Sequence, residues 1–380
     1  MKKILVLDHT AKPSGGELYL LDVLRHIHKE KFKVKVVLGE RGHLEDKLVD
    51  AGVDVSVMPL PKSLIEYRRE EYKPSNIGSM IGFGLYALKI AGIIAANKID
   101  VVYTNSIKSD VYGSIAARLT GRPCVWFLHD RVSPDYFTQS LCDKIIKFAN
   151  KYPKRIICNS VATKLAFTIA GGDEAKARVV LNGVDLDRFK MRKDPDNKIK
   201  KVALVGRISA WKGQRVFIEA ADEVLRDRDD VEFLIAGSVL FEEEDYKKDI
   251  EELIEAFNIK DKVKFLDFVP DIREFLQGID IMAHCSIIPE PFGLSVAEAM
   301  ASGVPVVASR AGGIVEMVED EASGLLYPPG NYKELADRLN RLLDDSDLRK
   351  RVAVNARKTI EMRFDIKEAA RKIEEILLSL

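Results

Sequence analysis

Cysteine is scarce in this chain of 380 residues: Cys124, Cys142, Cys158 and Cys285 form no Cys-x-x-Cys pair and have no histidine at ligand spacing. A disulfide framework and a zinc module are thereby excluded, and the four read as reduced, buried thiols. Net charge is absent as well, 59 Lys+Arg standing against 59 Asp+Glu. With no Lys/Arg cluster interleaved with aromatics, nucleic acid is not an expected partner. The opening MKKILVLDHT has only four consecutive apolar residues before Asp8. That is too few for the apolar region of a signal peptide, so a cytoplasmic location is expected. Long apolar runs are missing with one exception, IGSMIGFGLYALKIAGIIAA from Ile77 to Ala96. Lys89 and the glycines Gly82, Gly84 and Gly92 inside it favour a buried or interfacial helix, because a central lysine costs about 2.5–3.5 kcal/mol on membrane-insertion scales. The charged stretch before it, KSLIEYRREEYK at 62–73, reads as a mobile surface loop.

What is present is apolar material, 47% of the residues with 31% charged, a balance that supports a folded core and excludes disorder or a collagen repeat. The length suits two domains of roughly 100–200 residues each. The neutral total hides an asymmetry: residues 1–185 carry 28 Lys+Arg and 20 Asp+Glu, or +8, which leaves 31 and 39, or −8, for residues 186–380. Different partners for the two halves are expected. Short β-branched runs alternate with longer amphipathic ones, as when parallel strands are buried under helices on both faces. Strands are expected at 4–7, 34–38, 53–57, 101–103, 124–128, 156–158 and 179–181, then at 202–205, 233–235, 263–265, 281–283 and 304–307. The rhythm stops at the polar stretch 186–200, which holds Pro195 and reads as a linker between domains over 1–185 and 201–362. A final amphipathic helix follows near 363–380. Ligands of open parallel sheets sit beyond the carboxyl ends of the strands, so the expected site is a cleft between the two sheets.

Several strand ends carry chemistry. Gly206-Arg207-Ile208-Ser209-Ala210-Trp211-Lys212-Gly213 follows the first strand of the second half, where an Arg and a Lys five residues apart can place two cations on a diphosphate. The plain alternative is a solvated basic turn, and the Gly-x4-Gly-Lys-Ser/Thr spacing of a Walker loop is absent. Glu290-Pro291-Phe292-Gly293-Leu294-Ser295-Val296-Ala297-Glu298 sets two carboxylates around a glycine loop and a helix start. Amides at such a start bind phosphate oxygens, and a carboxylate one turn in can accept from the vicinal hydroxyls of a ribose. Ser295-x-x-Glu298 equally reads as a capping box. Gly15-Gly16-Glu17 opens the first helix, where backbone and helix dipole suit an anion or form a plain turn. His129 follows a buried strand and can help stabilise charge at a reacting centre, or be structural. Asn105 and Lys108 hold a similar position, with Asn105 expected as a helix cap.

Taken together, these motifs resemble the retaining glycosyltransferases of family four, which have the GT-B fold of two Rossmann-like parallel-sheet domains. The most specific stretches are Glu-Pro-Phe-Gly-Leu at 290–294 and Glu-Ala-Met-Ala-x-Gly-x-Pro-Val-Val at 298–307, supported by Asn182-Gly183-Val184-Asp185 and the Gly-Arg…Lys-Gly loop. The resemblance implies that Arg207 and Lys212 neutralise the diphosphate of a nucleotide-sugar donor, that Glu298 binds its ribose and that Glu290 holds hydroxyls of the transferred sugar. It implies donor contacts from Phe292, Gly293, Leu294, Ser295 and Gly16, a base near Phe268 and Val269, His129 by the reacting sugar, and an acceptor pocket bordered by Gly15, Asn105 and Lys108. By the same resemblance no cofactor and no divalent metal are needed, and the final helix crosses back to the first domain. The Asp-x-Asp strings at 185–187 and 227–229 do not read as metal sites. One departure is Ala236-Gly237-Ser238-Val239, where many members carry Gly-x-Gly. The basic first half and the apolar helix fit peripheral docking on an anionic membrane to reach a lipid-linked acceptor.

Other classes fit parts of the same residues. Gly293-x-Ser295-x-Ala297 approximates a hydrolase nucleophile elbow, but no histidine follows His284 to complete a triad. A nucleotide-sugar epimerase of the same architecture, or a non-catalytic nucleotide-sugar binder, would use the same donor residues without an acceptor.

Overall fold

The computed structural model describes residues 1–12, 14–61, 77–193, 197–239 and 243–380. The charged stretch at 62–73 and Pro195 lie outside the described residues. The chain divides into two compact units, Met1–Asn182 with Ile366–Leu380, and Gly183–Asp365.

The N-terminal unit is built on a seven-stranded parallel sheet of β1 (Lys2–Asp8), β2 (Phe32–Leu38), β3 (Asp54–Val57), β4 (Val101–Thr104), β5 (Cys124–Leu128), β6 (Arg155–Cys158) and β7 (Ala177–Val179). They lie in the order β3-β2-β1-β4-β5-β6-β7. Every residue of β4 and β5 is buried, which is why these strands read as unbroken apolar runs rather than alternating ones. The apolar segment forms a helix over Ile77–Asn97. Its Tyr86, Ala87, Ile90 and Ile94 are buried, while Leu85 and Leu88 are 58% and 56% exposed. Among the described residues no helix is long and apolar enough to cross a membrane. The C-terminal helix Ile366–Leu378 also belongs to this unit: Ile366, Ala369, Ile373 and Leu377 join the core around Tyr19, Leu20 and Leu24. Glu374 ties the helix down by accepting from His28 N at 2.7 Å and pairing with Lys31 Nζ at 3.4 Å.

The second unit holds a six-stranded parallel sheet of β8 (Lys200–Val205), β9 (Val231–Ala236), β10 (Val263–Phe265), β11 (Ile281–His284), β12 (Val306–Ser309) and β13 (Leu325–Tyr327), ordered β10-β9-β8-β11-β12-β13. Of these, β13, Leu-Leu-Tyr between Gly324 and Pro328, is not among the strands read from the sequence.

The division between the units differs from the one read in the sequence. Instead of a free linker at 186–200, the chain changes unit at Asn182/Gly183. Val184 N donates to Phe364 O at 2.8 Å, and Phe189 is buried. Arg192, also buried, donates to the carbonyls of Gly303 at 3.1 Å, Asp280 at 3.2 Å and Ile279. These carbonyls follow the helices Ile272–Gly278 and Leu294–Ala301, whose C-terminal ends are the negative poles of their dipoles. A polar segment without periodicity is thus docked by one buried cation, which no apolar pattern could have shown.

Candidate active site

Each sheet reverses its strand order once, between β1 and β4 in the first unit and between β8 and β11 in the second. At such a switch point neighbouring strand-end loops diverge to opposite faces and leave a crevice. Of the residues singled out in the sequence, Arg207, Lys212 and the stretch from Glu290 to Glu298 follow β8 and β11 at the second point, Gly15, Gly16, Asn105 and Lys108 follow β1 and β4 at the first, and His129 follows the next strand, β5; Phe268 and Val269 instead follow the edge strand β10.

In the second unit the loop after β8 runs through a 3-10 turn at Ala210–Lys212 to the helix Gln214–Leu225. Gly213 makes the turn possible: its φ is +74°, and a Cβ there would lie 1.9 Å from Cys285 O. This close approach brings the loop against the one after β11. Lys212 Nζ then donates to Glu290 Oε1 at 2.6 Å. Ser286 Oγ donates to the same oxygen, and His284 Nε2 lies 2.9 Å from it. A carboxylate only accepts, so Nε2 carries a hydrogen towards Glu290, and Ser309 Oγ lies 3.1 Å from Nδ1 on the other side of the ring. Three donors converge on Oε1, and among the described residues none donates to Oε2. Glu290 is only 6% exposed. Burial works against its ionisation, but the Lys212 ammonium and the contact with His284 overturn that and hold the carboxyl well below the usual range. Arg207, on the same loop as Lys212, places Nε 3.8 Å from Oε2 of Glu243, the residue before the helix Glu244–Ala256.

The loop 285–293 is closed from above by Gly313, whose N–H donates to Glu290 O at 2.9 Å. Phe292 turns its ring into the core, 5.9 Å from that of Phe364, so it can meet a ligand only through its backbone. Gly293, at φ +96°, is the N-cap of the helix Leu294–Ala301, and as a glycine it has no side chain to cap this end. The capping-box reading of Ser295 and Glu298 is therefore corrected. The helix begins too early for it: Leu294 and Ser295 fill the first two helical positions, and Glu298 lies beyond the first turn. Their amides remain at the positive end of the helix. Val269 lines a groove of about 560 Å³ against Leu234, Leu266 and Phe275, and Phe268 is 66% exposed.

The N-terminal unit has its own network. Asp8, at the end of β1, accepts from His9 N at 2.7 Å and from Asn105 Nδ2 at 2.7 Å. Burial raises its carboxyl, yet the contacts with His9 and Asn105 outweigh it and lower the pKa. With its amide nitrogen committed to Asp8, Asn105 turns Oδ1 to His129 Nε2 at 2.9 Å. The imidazole therefore donates from Nε2 and keeps Nδ1 as an acceptor. Burial drives His129 down to about 4, against the opposing charges of Asp130 and Asp8, so the ring is neutral at physiological pH. A Cβ on Gly16 would lie 3.3 Å from His129 Cγ, whereas one on Gly15 would meet open space. Glu17 is pushed up to about 7, by burial first and by Asp8 second, while a hydrogen bond from Ser14 opposes the rise. Lys108 is lowered to about 8 by burial, with Glu40 opposing. Asn105 is not the helix cap expected of it: Ser106 caps Ile107–Leu119, with Ser109 completing the box, and Asn105 instead joins Asp8 to His129. Sequence reading missed His284, Ser286 and Ser309. The signal available was position, since His284 ends β11 just as His129 follows β5. Among the described residues no group of three or more His, Cys, Asp or Glu side chains is placed to hold a metal ion.

Two parallel-sheet α/β units, each with its polar cluster at the switch point, define a GT-B glycosyltransferase. Residues 13–188 match Glycosyltransferase Family 4 and residues 185–359 match Glycosyl transferases group 1, and the chain belongs to this family. Anabaena Alr3699/HepE, solved in complex with UDP-glucose, superposes with a TM-score of 0.88 at 31% identity over 100% of both chains. The UDP-Gal:alpha-D-GlcNAc-diphosphoundecaprenol alpha-1,3-galactosyltransferase of Escherichia coli is 24% identical over 97% of this chain and 94% of its own. The alpha-D-kanosaminyltransferase of Streptomyces kanamyceticus is 28% identical over 64% of this chain and 67% of its own.

Proposed function

We propose that this glycosyltransferase takes a UDP-sugar and transfers the sugar, with retention at the anomeric carbon and without a divalent metal, to a hydroxyl of a lipid-linked or polysaccharide acceptor. The observation that carries the reading is the Lys212–Glu290 pair at the switch point, with Arg207 on the same loop. HepE, its relative at 31% identity over the full chain, binds UDP-glucose, which supports uridine over guanosine in the donor.

Arg207 and Lys212 take the diphosphate, together with the amides of Gly293, Leu294 and Ser295. As the bond from the anomeric carbon to the phosphate oxygen breaks, negative charge grows on the leaving group, and fixed cations and helix amides stabilise that charge more than the ground state. The acceptor oxygen forms the new bond on the same face, and its proton passes to the departing phosphate. Glu290 Oε2 accepts from hydroxyls of the transferred sugar, because Oε1 is occupied by its three donors. Glu298 takes the ribose. In the N-terminal unit, Gly16 offers its amide to the donor, neutral His129 accepts from a sugar hydroxyl, and Gly15, Asn105 and Lys108 border the acceptor. The exposed Leu85 and Leu88 on the helix Ile77–Asn97, and the lipid-linked substrate named for the Escherichia coli relative, support peripheral docking on an anionic membrane.

A thermal-shift screen of UDP-, GDP- and ADP-sugars with EDTA tests the donor, since a ligand bound only by the folded state raises the Tm. Selective stabilisation by UDP-sugars that survives EDTA is expected; no shift from any of them would overturn the donor reading. The anomeric configuration of the product, read by NMR, tests retention. Failure to float with anionic liposomes would remove the membrane contact.

A further inference from the structure

The loop after β8 contains one large side chain that the roles above leave unused. Trp211 sits in the 3-10 turn Ala210–Lys212. The centroid of its ring is 4.4 Å from Lys212 Nζ and 5.8 Å from Arg207 Cζ. Both distances fall within the roughly 6 Å over which an aromatic face attracts a cation. The backbone beneath the ring is tied to the loop that carries Glu290, since Trp211 O accepts from Ile287 N at 2.9 Å.

Two like charges brought to one phosphate site repel each other, and long side chains lose rotamer freedom when a ligand immobilises them. An aromatic face beside both cations opposes each effect. The Lys212 ammonium is held on two sides, by Glu290 Oε1 and by the ring. Arg207 is stretched between the ring and Glu243.

We infer that Trp211 is a positioning residue for the donor diphosphate, holding the Arg207 and Lys212 cations together before the nucleotide arrives. The inference rests on the donor-site reading above. The ring also reports on the site, because the chain has two tryptophans. The other, Trp126, is buried in the N-terminal unit with Nε1 bonded to Ser114 Oγ at 2.7 Å.

The test is UDP binding by calorimetry and UDP-glucose turnover for the full chain and for W211L, W211F, R207A and K212A, with Tm as the check on folding. Truncating either cation is expected to weaken UDP binding. W211L, which keeps apolar bulk but no π face, should weaken it roughly tenfold and lower kcat/KM alike, whereas W211F should stay within about threefold of the parent. UDP should change the tryptophan emission of the parent and leave that of W211F unchanged while still binding it. If R207A and K212A weaken UDP binding but W211L does not, the role of Trp211 is overturned and the donor site stands. If neither cation matters, the donor reading falls and the inference with it. Should W211L not fold, W211M against W211F makes the same comparison, and equal affinities for the two would overturn the proposal.

Discussion

Glu17 and Glu290 are the same residue type, both 6% exposed, and both follow a strand at the switch point of their sheet, Glu17 in the first turn of the helix Gly15–His26 after β1 and Glu290 on the loop after β11. Their carboxyls nevertheless shift in opposite directions. Glu17 is raised to about 7 by burial and by the neighbouring Asp8. Glu290 is held well below its ordinary range because, although burial raises it, Lys212 and His284 outweigh burial. Burial pushes both carboxyls up, and the sign of the nearest charge decides whether that rise stands or is overturned. The second unit keeps a cation and a carboxylate together at its switch point, while the first keeps a neutral imidazole and one carboxylate near half-protonation.

The strongest way to break this comparison is to remove the cation. K212A should lower kcat/KM by about 10²-fold or more, through loss of leaving-group stabilisation. It should also destabilise the fold by roughly 3 kcal/mol, because a buried carboxylate loses its partner. Adding E290Q to K212A should restore much of the Tm and none of the activity. Equal Tm values for K212A and the double variant would show that Glu290 does not depend on Lys212 for its charge.

Next in size is E298A. The substitution should weaken donor binding by about ten- to a hundredfold, on the order of one hydrogen bond to a charged acceptor. The Tm should move little. A Tm loss matching the roughly 1 kcal/mol value of a cap would reinstate capping.

H284F sharpens the comparison by removing one donor to Oε1 while keeping the ring volume. A fall in kcat/KM of about tenfold is expected, with H284N or H284Q recovering part of it. Full activity in H284F would reduce His284 to core packing.

The smallest effect tests the other carboxylate. The pKa of Glu17 is raised on folding, so its contribution to stability is complete below its ordinary pKa and is lost as pH rises through about 7. E17Q should thus match the parent near pH 5 and gain on the order of 1–3 kcal/mol at pH 8. Glu290 has the opposite sign, with stability present at neutral pH and lost only as pH falls below the carboxylate range. E290Q should accordingly cost stability at pH 8. Melting curves of both variants against pH decide the matter, and parallel curves would refute the contrast.

Much of this architecture was legible in one dimension. β-branched runs such as Val101–Tyr103 and Cys124–Leu128 mark buried parallel strands because such strands tolerate no polar alternation. Arg207, Lys212, Glu290 and Glu298 stood out because they follow strand ends, where the fold class places ligands. By contrast β13 was not read, and the docking of residues 183–193 depends on Arg192 reaching carbonyls about 90 and 110 residues away in the chain. Asn105 was expected as a cap, whereas the cap is its neighbour Ser106, because capping depends on which residue first takes helical geometry, here a matter of one position.

Local pattern by itself determined the fold class, the two-domain plan and the strand-end positions of the functional side chains, because periodicity and turn chemistry act over a few residues. Only the tertiary structure decided how those side chains combine. That His284 and Ser286 join Lys212 on one oxygen of Glu290, and that Asn105 bridges Asp8 to His129, are consequences of strands distant in sequence lying next to each other. Charge states follow the same rule, since a Coulomb interaction depends on separation in space and on the surrounding dielectric, and neither is written along the chain.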